Sequence, residues 1–188
     1  MKIGILPIGQ VDESPLLRIQ EGLKRVFPQI KSVVIEKKLP LDELSLDGKR
    51  QQYRSHTLLN QVQNFAAENR DLNYVLGVVD VDIFVPRLNF VFGEAICPGI
   101  AALISLHRLK PEFHSEASND QLYFNRAIKE ALHELGHNLG LRHCSRPLCV
   151  MHFSNSIFDT DMKQSSFCDR CSSQATAALI RWNENFSG

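Results

Sequence analysis

The chain has 188 residues, 44% of them hydrophobic, with 21 basic and 21 acidic residues and a formal net charge of zero. That length and apolar content suit one folded domain with a sizeable core. The charge balance supplies neither a basic surface for nucleic acid nor an acidic tail, and no apolar run reaches the roughly 18 residues that a membrane-spanning helix needs.

Along the chain, Lys2–Leu6 (KIGIL) predicts a short buried strand ended by Pro7 and Gly9. Pro15 sits where proline is tolerated, near the start of a helix in which Leu16, Ile19, Leu23 and Val26 recur at helical spacing, and Pro28 closes it. Lys31–Ile35 predicts a second strand. Residues 49–69 predict an amphipathic helix with Leu58, Val62, Phe65 and Ala66 on one face. Tyr74–Val79 has the Val- and Leu-rich character of a buried parallel strand, so the order is that of an α/β fold. Phe90–Ala95 and Ile100–Ser105 predict two more strands, separated by Pro98 and Gly99. Residues 110–120 are polar and without periodicity, so a loop is expected.

A helix from about Leu122 to Leu139 follows, with Asn119 or Asp120 as its cap and Ile128, Leu132, Leu135 and Leu139 as its core face. After Gly140 the chain changes character. Residues 141–171 are loop-like and cysteine-containing, and Ser172 is placed to cap a last helix with Ala175, Ala178, Leu179, Trp182 and Phe186 on one face.

Residues 133–143 read HELGHNLGLRH. His133 and His137 are four apart, so on a helix they stack on one face with about 6 Å between Cβ atoms, within reach of one tetrahedral zinc. Glu134 is turned roughly 100° from His133 and flanks that site without joining it. Gly140 can take the left-handed conformation that ends a helix, which lets His143 return as a third ligand. Three protein ligands leave the fourth position open for water, the catalytic pattern, and put Glu134 in the place of a general base.

Four of the five cysteines form two pairs, Cys144 with Cys149 and Cys168 with Cys171. Two such pairs suit a closed, structural four-cysteine zinc site, with two disulfides as the alternative. The N-terminus has no charged region, long apolar run and cleavage site, so a cytoplasmic, reducing location is expected, which favours zinc. Cys97, in the apolar run AICPGIAAL, reads as a buried small hydrophobe.

The run HELGHNLGLRHCSRPLCVM with FCDRC downstream, together with VLGVVDVDIFVPRLNFVFGEA at 75–95, resembles the archaemetzincin family of the metzincin zinc peptidases. The resemblance implies two zinc ions per chain, one catalytic on His133, His137 and His143 and one structural on Cys144, Cys149, Cys168 and Cys171. It makes Met151 the methionine of the turn beneath the first zinc and Phe90–Ala95 the edge strand beside an extended substrate. Some metzincins carry a tyrosine two residues past that methionine. Phe153 stands there instead and donates no hydrogen bond. The fold expected is α/β (α+β): a mixed, twisted five-stranded sheet with an antiparallel edge strand, an active-site helix, and a small zinc-stapled C-terminal part ending in a helix. Residues 1–188 would form a single catalytic domain, with an upper part of about 1–140 and a lower part of about 141–188.

The function expected is zinc-dependent hydrolysis of peptide bonds, with a peptide or protein as the partner and neither nucleic acid nor membrane. A zinc amidase on small substrates and a zinc-bound peptide-binding protein with little turnover are the alternatives. His107, His114 and His152 are expected at the surface or as satisfied polar groups, and Asp80, Asp82 and Glu94 as surface or rim charges. The sequence carries no signal for an oligomeric state.

Overall fold

The computed structural model describes the backbone of residues 1–186 and the side chains of residues 1–181. The chain runs β1 (Lys2–Pro7), α1 (Glu13–Val26), β2 (Lys31–Val34), β3 (Leu46–Asp47), β4 (Gln52–Arg54), α2 (Ser55–Glu68), β5 (Tyr74–Val79), β6 (Ile83–Phe84), β7 (Gly93–Ala95), β8 (Ala101–Ser105), α3 (Asp120–Asn138), α4 (Ile157–Met162) and α5 (Asp169–Phe186).

The main sheet has the order β2-β1-β5-β8-β7. Its first four strands are parallel, and β7 joins β8 antiparallel with Glu94 opposite Leu103. Because helices cover both faces, alternate residues of one strand serve two cores and the strands read as unbroken apolar runs. Ile3, Ile5, Leu76, Val78 and Ile104 pack under α1 and α3. Leu6, Val75, Val79 and Leu103 pack against Leu58, Val62, Phe65 and Ala66 of α2 on the other face. The five-stranded mixed sheet with an antiparallel edge is as the sequence led us to expect.

Several boundaries differ. The helix expected over residues 49–69 begins only at Ser55, because Gln52–Arg54 pair with β3 and β6 in a small second sheet that local periodicity does not encode. The edge strand expected from Phe90 is confined to Gly93–Ala95. Ahead of it the chain leaves the main sheet, and the Val91 N–H bonds to the Ile83 carbonyl at 3.0 Å. The loop expected at 110–120 contains a 3-10 turn at Pro111–His114. Within 141–171 lies α4, whose start carries a reciprocal cap between Ser156 and Asp159, a signal present in the sequence as S-x-x-D. The last helix starts at Asp169, ahead of the cap expected at Ser172, and its side chains at Trp182 and Phe186 lie outside the described residues.

The helix that carries His133 and His137 is α3. Asn119 caps it by accepting from the Leu122 N–H at 3.0 Å. Its apolar face, Ala127, Ile128, Ala131, Leu132 and Leu135, is buried against α1 and the sheet. Its opposite face meets α4 through charges. Arg126, 0% exposed, makes two parallel bonds of 2.7 Å to the Asp161 carboxylate and a third of 3.1 Å to Glu116. Removing one side of such a pair leaves a charge buried without its partner. Asp161→Asn should therefore lower stability by about 2 kcal/mol, less than for a fully enclosed pair because Glu116 remains. Urea unfolding measures this, and an unchanged midpoint would show that the pair contributes nothing net.

Candidate metal centres

At the end of α3, Gly140 takes φ +86°. Its N–H bonds to the His137 carbonyl at 2.8 Å and the Leu141 N–H to the Gly136 carbonyl at 3.0 Å, the paired bonds of a left-handed helix terminus. The chain doubles back there, and His143 meets His133 and His137 with ring centroids 5.3 and 4.9 Å away. One nitrogen from each of the three rings lies within 4.8 Å of the others.

Two of these rings are oriented by backbone carbonyls. His133 Nδ1 lies 2.8 Å from the Val150 oxygen, and His137 Nδ1 lies 2.7 Å from the Leu141 oxygen. A carbonyl only accepts, so each Nδ1 carries the proton and each Nε2 presents a lone pair. Those two Nε2 atoms are 3.2 Å apart. Two bare lone pairs at that distance repel, and a cation between them removes the conflict. Two nitrogens on one tetrahedral zinc stand about 3.3 Å apart, so the donor set fits that metal. Burial holds the His133, His137 and His143 imidazoles below their ordinary pKa, most strongly at His133, which keeps them neutral as metal binding requires.

Glu134 lies beside this group, 5% exposed, and burial pushes its carboxyl well above the ordinary carboxylate range, with Glu130 adding to the shift. The space it occupies exists because β7 passes with a glycine. A Cβ on Gly93 would stand 2.6 Å from both Cγ and Oε1 of Glu134. The sulfur of Met151, fully buried, packs directly beneath Gly136, where a Cβ would overlap it. Met151 thus supports the helix turn between the two histidines. Phe153 sits with its ring 4.8 Å from that of His143.

The three histidines, Glu134 and Phe153 face a cavity of about 490 Å3, whose lining also includes Phe90, Phe92 and the edge strand β7. Cys97 is exposed at its wall, with Sγ 3.6 Å from the Leu141 carbonyl. This corrects the buried position expected for it. The chain turns out of the sheet at Pro98–Gly99, so Cys97 faces the cavity rather than a core. Glu94 borders the cavity and bonds to the Ser55 hydroxyl at 2.6 Å. Asp82 pairs with Arg108, and Asp80 with Lys110, both half-buried and away from the histidines. His152 bonds the Cys144 carbonyl and His114 the Arg108 carbonyl, so both are satisfied outside the group.

The four thiols of Cys144, Cys149, Cys168 and Cys171 are unpaired and lie within 4.8 Å of one another. The Sγ atoms of Cys144 and Cys168 are 3.8 Å apart, and two sulfurs on one tetrahedral zinc stand about 3.8 Å apart. The Cys168 thiol is brought down to about 7, chiefly by the Cys171 backbone N–H. The donor geometry suits zinc rather than the two disulfides weighed as the alternative.

Three residues near the histidines have no counterpart in the sequence argument. Glu130, one turn before Glu134, lines the same cavity and pairs with Lys163 at 3.1 Å, both almost fully buried. Its Oε1 also accepts from the Thr160 hydroxyl at 3.0 Å. Position i−4 from Glu134 signalled Glu130. Nothing in the sequence linked it to Lys163 or Thr160, thirty or more residues on.

The model of peptidase family M54 matches residues 15–176. The archaemetzincin of Pyrococcus furiosus is 43% identical over 171 residues, covering 89% of this chain and 88% of that one. That of Methanocaldococcus jannaschii is 40% identical over 171 residues, covering 91% and 90%. Among solved structures, Methanopyrus kandleri archaemetzincin superposes with a TM-score of 0.84 at 34% identity, covering 96% of each chain. Archaeoglobus fulgidus archaemetzincin complexed with malonate gives 0.80 at 36% identity, covering 93% of this chain and 99% of that one.

The ring geometry is directly checkable. In metal-free protein, His133 and His137 should titrate below the ordinary imidazole range, His133 the lower, with the proton of the neutral rings on Nδ1, as read from imidazole 15N shifts. A His133 ring titrating at the ordinary 6.5 would contradict the burial described.

Proposed function

The chain belongs to peptidase family M54 and is a zinc metallopeptidase, and on that premise we propose that it hydrolyses peptide bonds with Glu134 as general base beside a zinc held by His133, His137 and His143. The observation that carries this reading is the buried Glu134 carboxylate, given room by Gly93 and set against three convergent imidazoles in an open cavity. Zinc bound there supplies Lewis acidity, lowering the pKa of water and polarising a carbonyl oxygen. Glu134 takes the proton of the attacking water and returns it to the departing amine. Val150 and Leu141 hold the imidazoles in the tautomer that keeps each Nε2 free. Phe90, Phe92 and Phe153 give the cavity an apolar, aromatic wall.

The position of β7 supports a peptide over a small amide. It is the last strand of its sheet and borders the cavity, so an extended substrate can pair with its backbone. Glu134 supports turnover over binding alone, since a binding module has no use for a base there. We further propose a second, structural zinc on the four cysteines, giving two per chain. Unpaired thiols, and the absence among the described residues of any helix long and apolar enough to cross a membrane, are in keeping with a cytoplasmic location.

Glu134→Ala should retain its zinc and lose about 10²–10⁴-fold in turnover. The check is cleavage of a diverse peptide library read by mass spectrometry, with metal content measured on the same samples. A variant that keeps most of its activity would remove Glu134 from the reaction. Cys168→Ser tests the second zinc. His143 and Cys144 are adjacent, and the Val150 carbonyl that orients His133 lies between Cys149 and Met151, so loosening the thiol cluster should weaken zinc at the histidines by about tenfold or more. Chelator competition measures this, and an unchanged affinity would mean that the two sites are independent.

A further inference from the structure

A second cavity, of about 610 Å3, shares only His143 with the one above. One wall is the turn that leads from α3 through His143, and the other is a stripe of α5. On a helix, Arg170, Gln174, Ala177 and Arg181 fall on one side, at spacings of four, three and four. The short side chain of Ala177 leaves the space between the two arginines open. Arg142 enters from the opposite wall, and Ser145 adds a hydroxyl.

All three arginines are exposed, and among the described residues none takes part in an ion pair. Among the described residues no aspartate or glutamate lines the cavity, and its remaining polar lining includes Cys144 and Cys171 of the thiol cluster. The whole chain has as many acidic as basic residues, so three unpartnered guanidiniums around one concavity are a local excess. Elsewhere the chain satisfies its more enclosed arginines, as Arg108 with Asp82 and Arg126 with Asp161. A guanidinium presents forked donors that match two oxygens of a phosphate or carboxylate, and these three face solvent across one concavity.

We propose that this cavity is a binding site for a ligand bearing oxyanion groups, held by Arg142, Arg170 and Arg181. Arg170 and Arg181 are eleven residues apart on α5, about 16 Å along its axis, so the ligand carries two or more such groups, either as a small phosphorylated or polycarboxylate molecule or as acidic side chains of a peptide. The site is separate from the catalytic reading and stands whether or not Glu134 acts as the base.

The test uses zinc-loaded, 15N-labelled full-length protein titrated with sodium sulfate at constant ionic strength. Arginine Nε–H signals report the contact. Saturable shifts are expected at Arg142, Arg170 and Arg181, while Arg25 and Arg70, exposed elsewhere, show only linear screening. Arg142→Gln and Arg170→Gln should each weaken sulfate by about tenfold, with zinc content and circular dichroism unchanged. A tetra-aspartate peptide then separates the sources. Competition with sulfate assigns the site to acidic peptide side chains as well, and failure to compete restricts it to tetrahedral anions. Linear shifts of equal size at all arginines, or binding untouched by both substitutions, would overturn the proposal.

Discussion

Two lone pairs facing each other across 3.2 Å are the constraint around which this molecule is organised. Neither imidazole can turn away, because each holds its other nitrogen to a backbone carbonyl, and protonation to relieve the repulsion is costly, because His133 is buried and His137 half-buried. A metal ion resolves the conflict that the protein has built. The work of the fold is to hold those two carbonyls, and the third ring, where they make the conflict unavoidable.

That work is divided between two sources. The Leu141 carbonyl is local, presented by the helix terminus at Gly140. The Val150 carbonyl comes from the cysteine-bearing loop, in the same short stretch as Cys149 and Met151. The loop closes on itself where the Cys144 N–H meets the Met151 carbonyl at 2.8 Å. Met151 also fixes the height of that loop under α3, since its sulfur rests against Gly136. The thiol cluster and the histidine cluster therefore draw on one short stretch of chain, through His143, Cys144, Cys149 and the Val150 carbonyl.

Charges, not only apolar contacts, fasten the other side of α3. Arg126, Lys129 and Glu130 all turn toward α4 and the residue after it, meeting Asp161, the Thr160 carbonyl and Lys163. Burying such pairs gains little stability over a hydrocarbon interface. What it secures is register, because Asp161 and Glu130 each meet one particular cation, Arg126 and Lys163. The segment from Phe153 to Asn155, which borders the cavity, lies between the turn at Met151 and this pinned helix.

The sequence by itself determined whatever depends on near neighbours. The spacing of His133, His137 and His143 follows from helical pitch and the glycine stop, the Asn119 cap from side-chain chemistry, and the strands β1, β5 and β8 from unbroken apolar runs. It underestimated whatever depends on pairing at a distance. Gln52–Arg54 belong to a sheet because β3 and β6 reach them, and the edge strand is short because Val91 turns toward Ile83. Only the tertiary structure could decide that Gly93 clears the space for Glu134, that Lys163 neutralises Glu130, that Cys97 faces a cavity, and that Arg142 stands across from Arg170 and Arg181. Those residues are separated by tens of positions, and local periodicity carries no information about which distant surface will be packed against them.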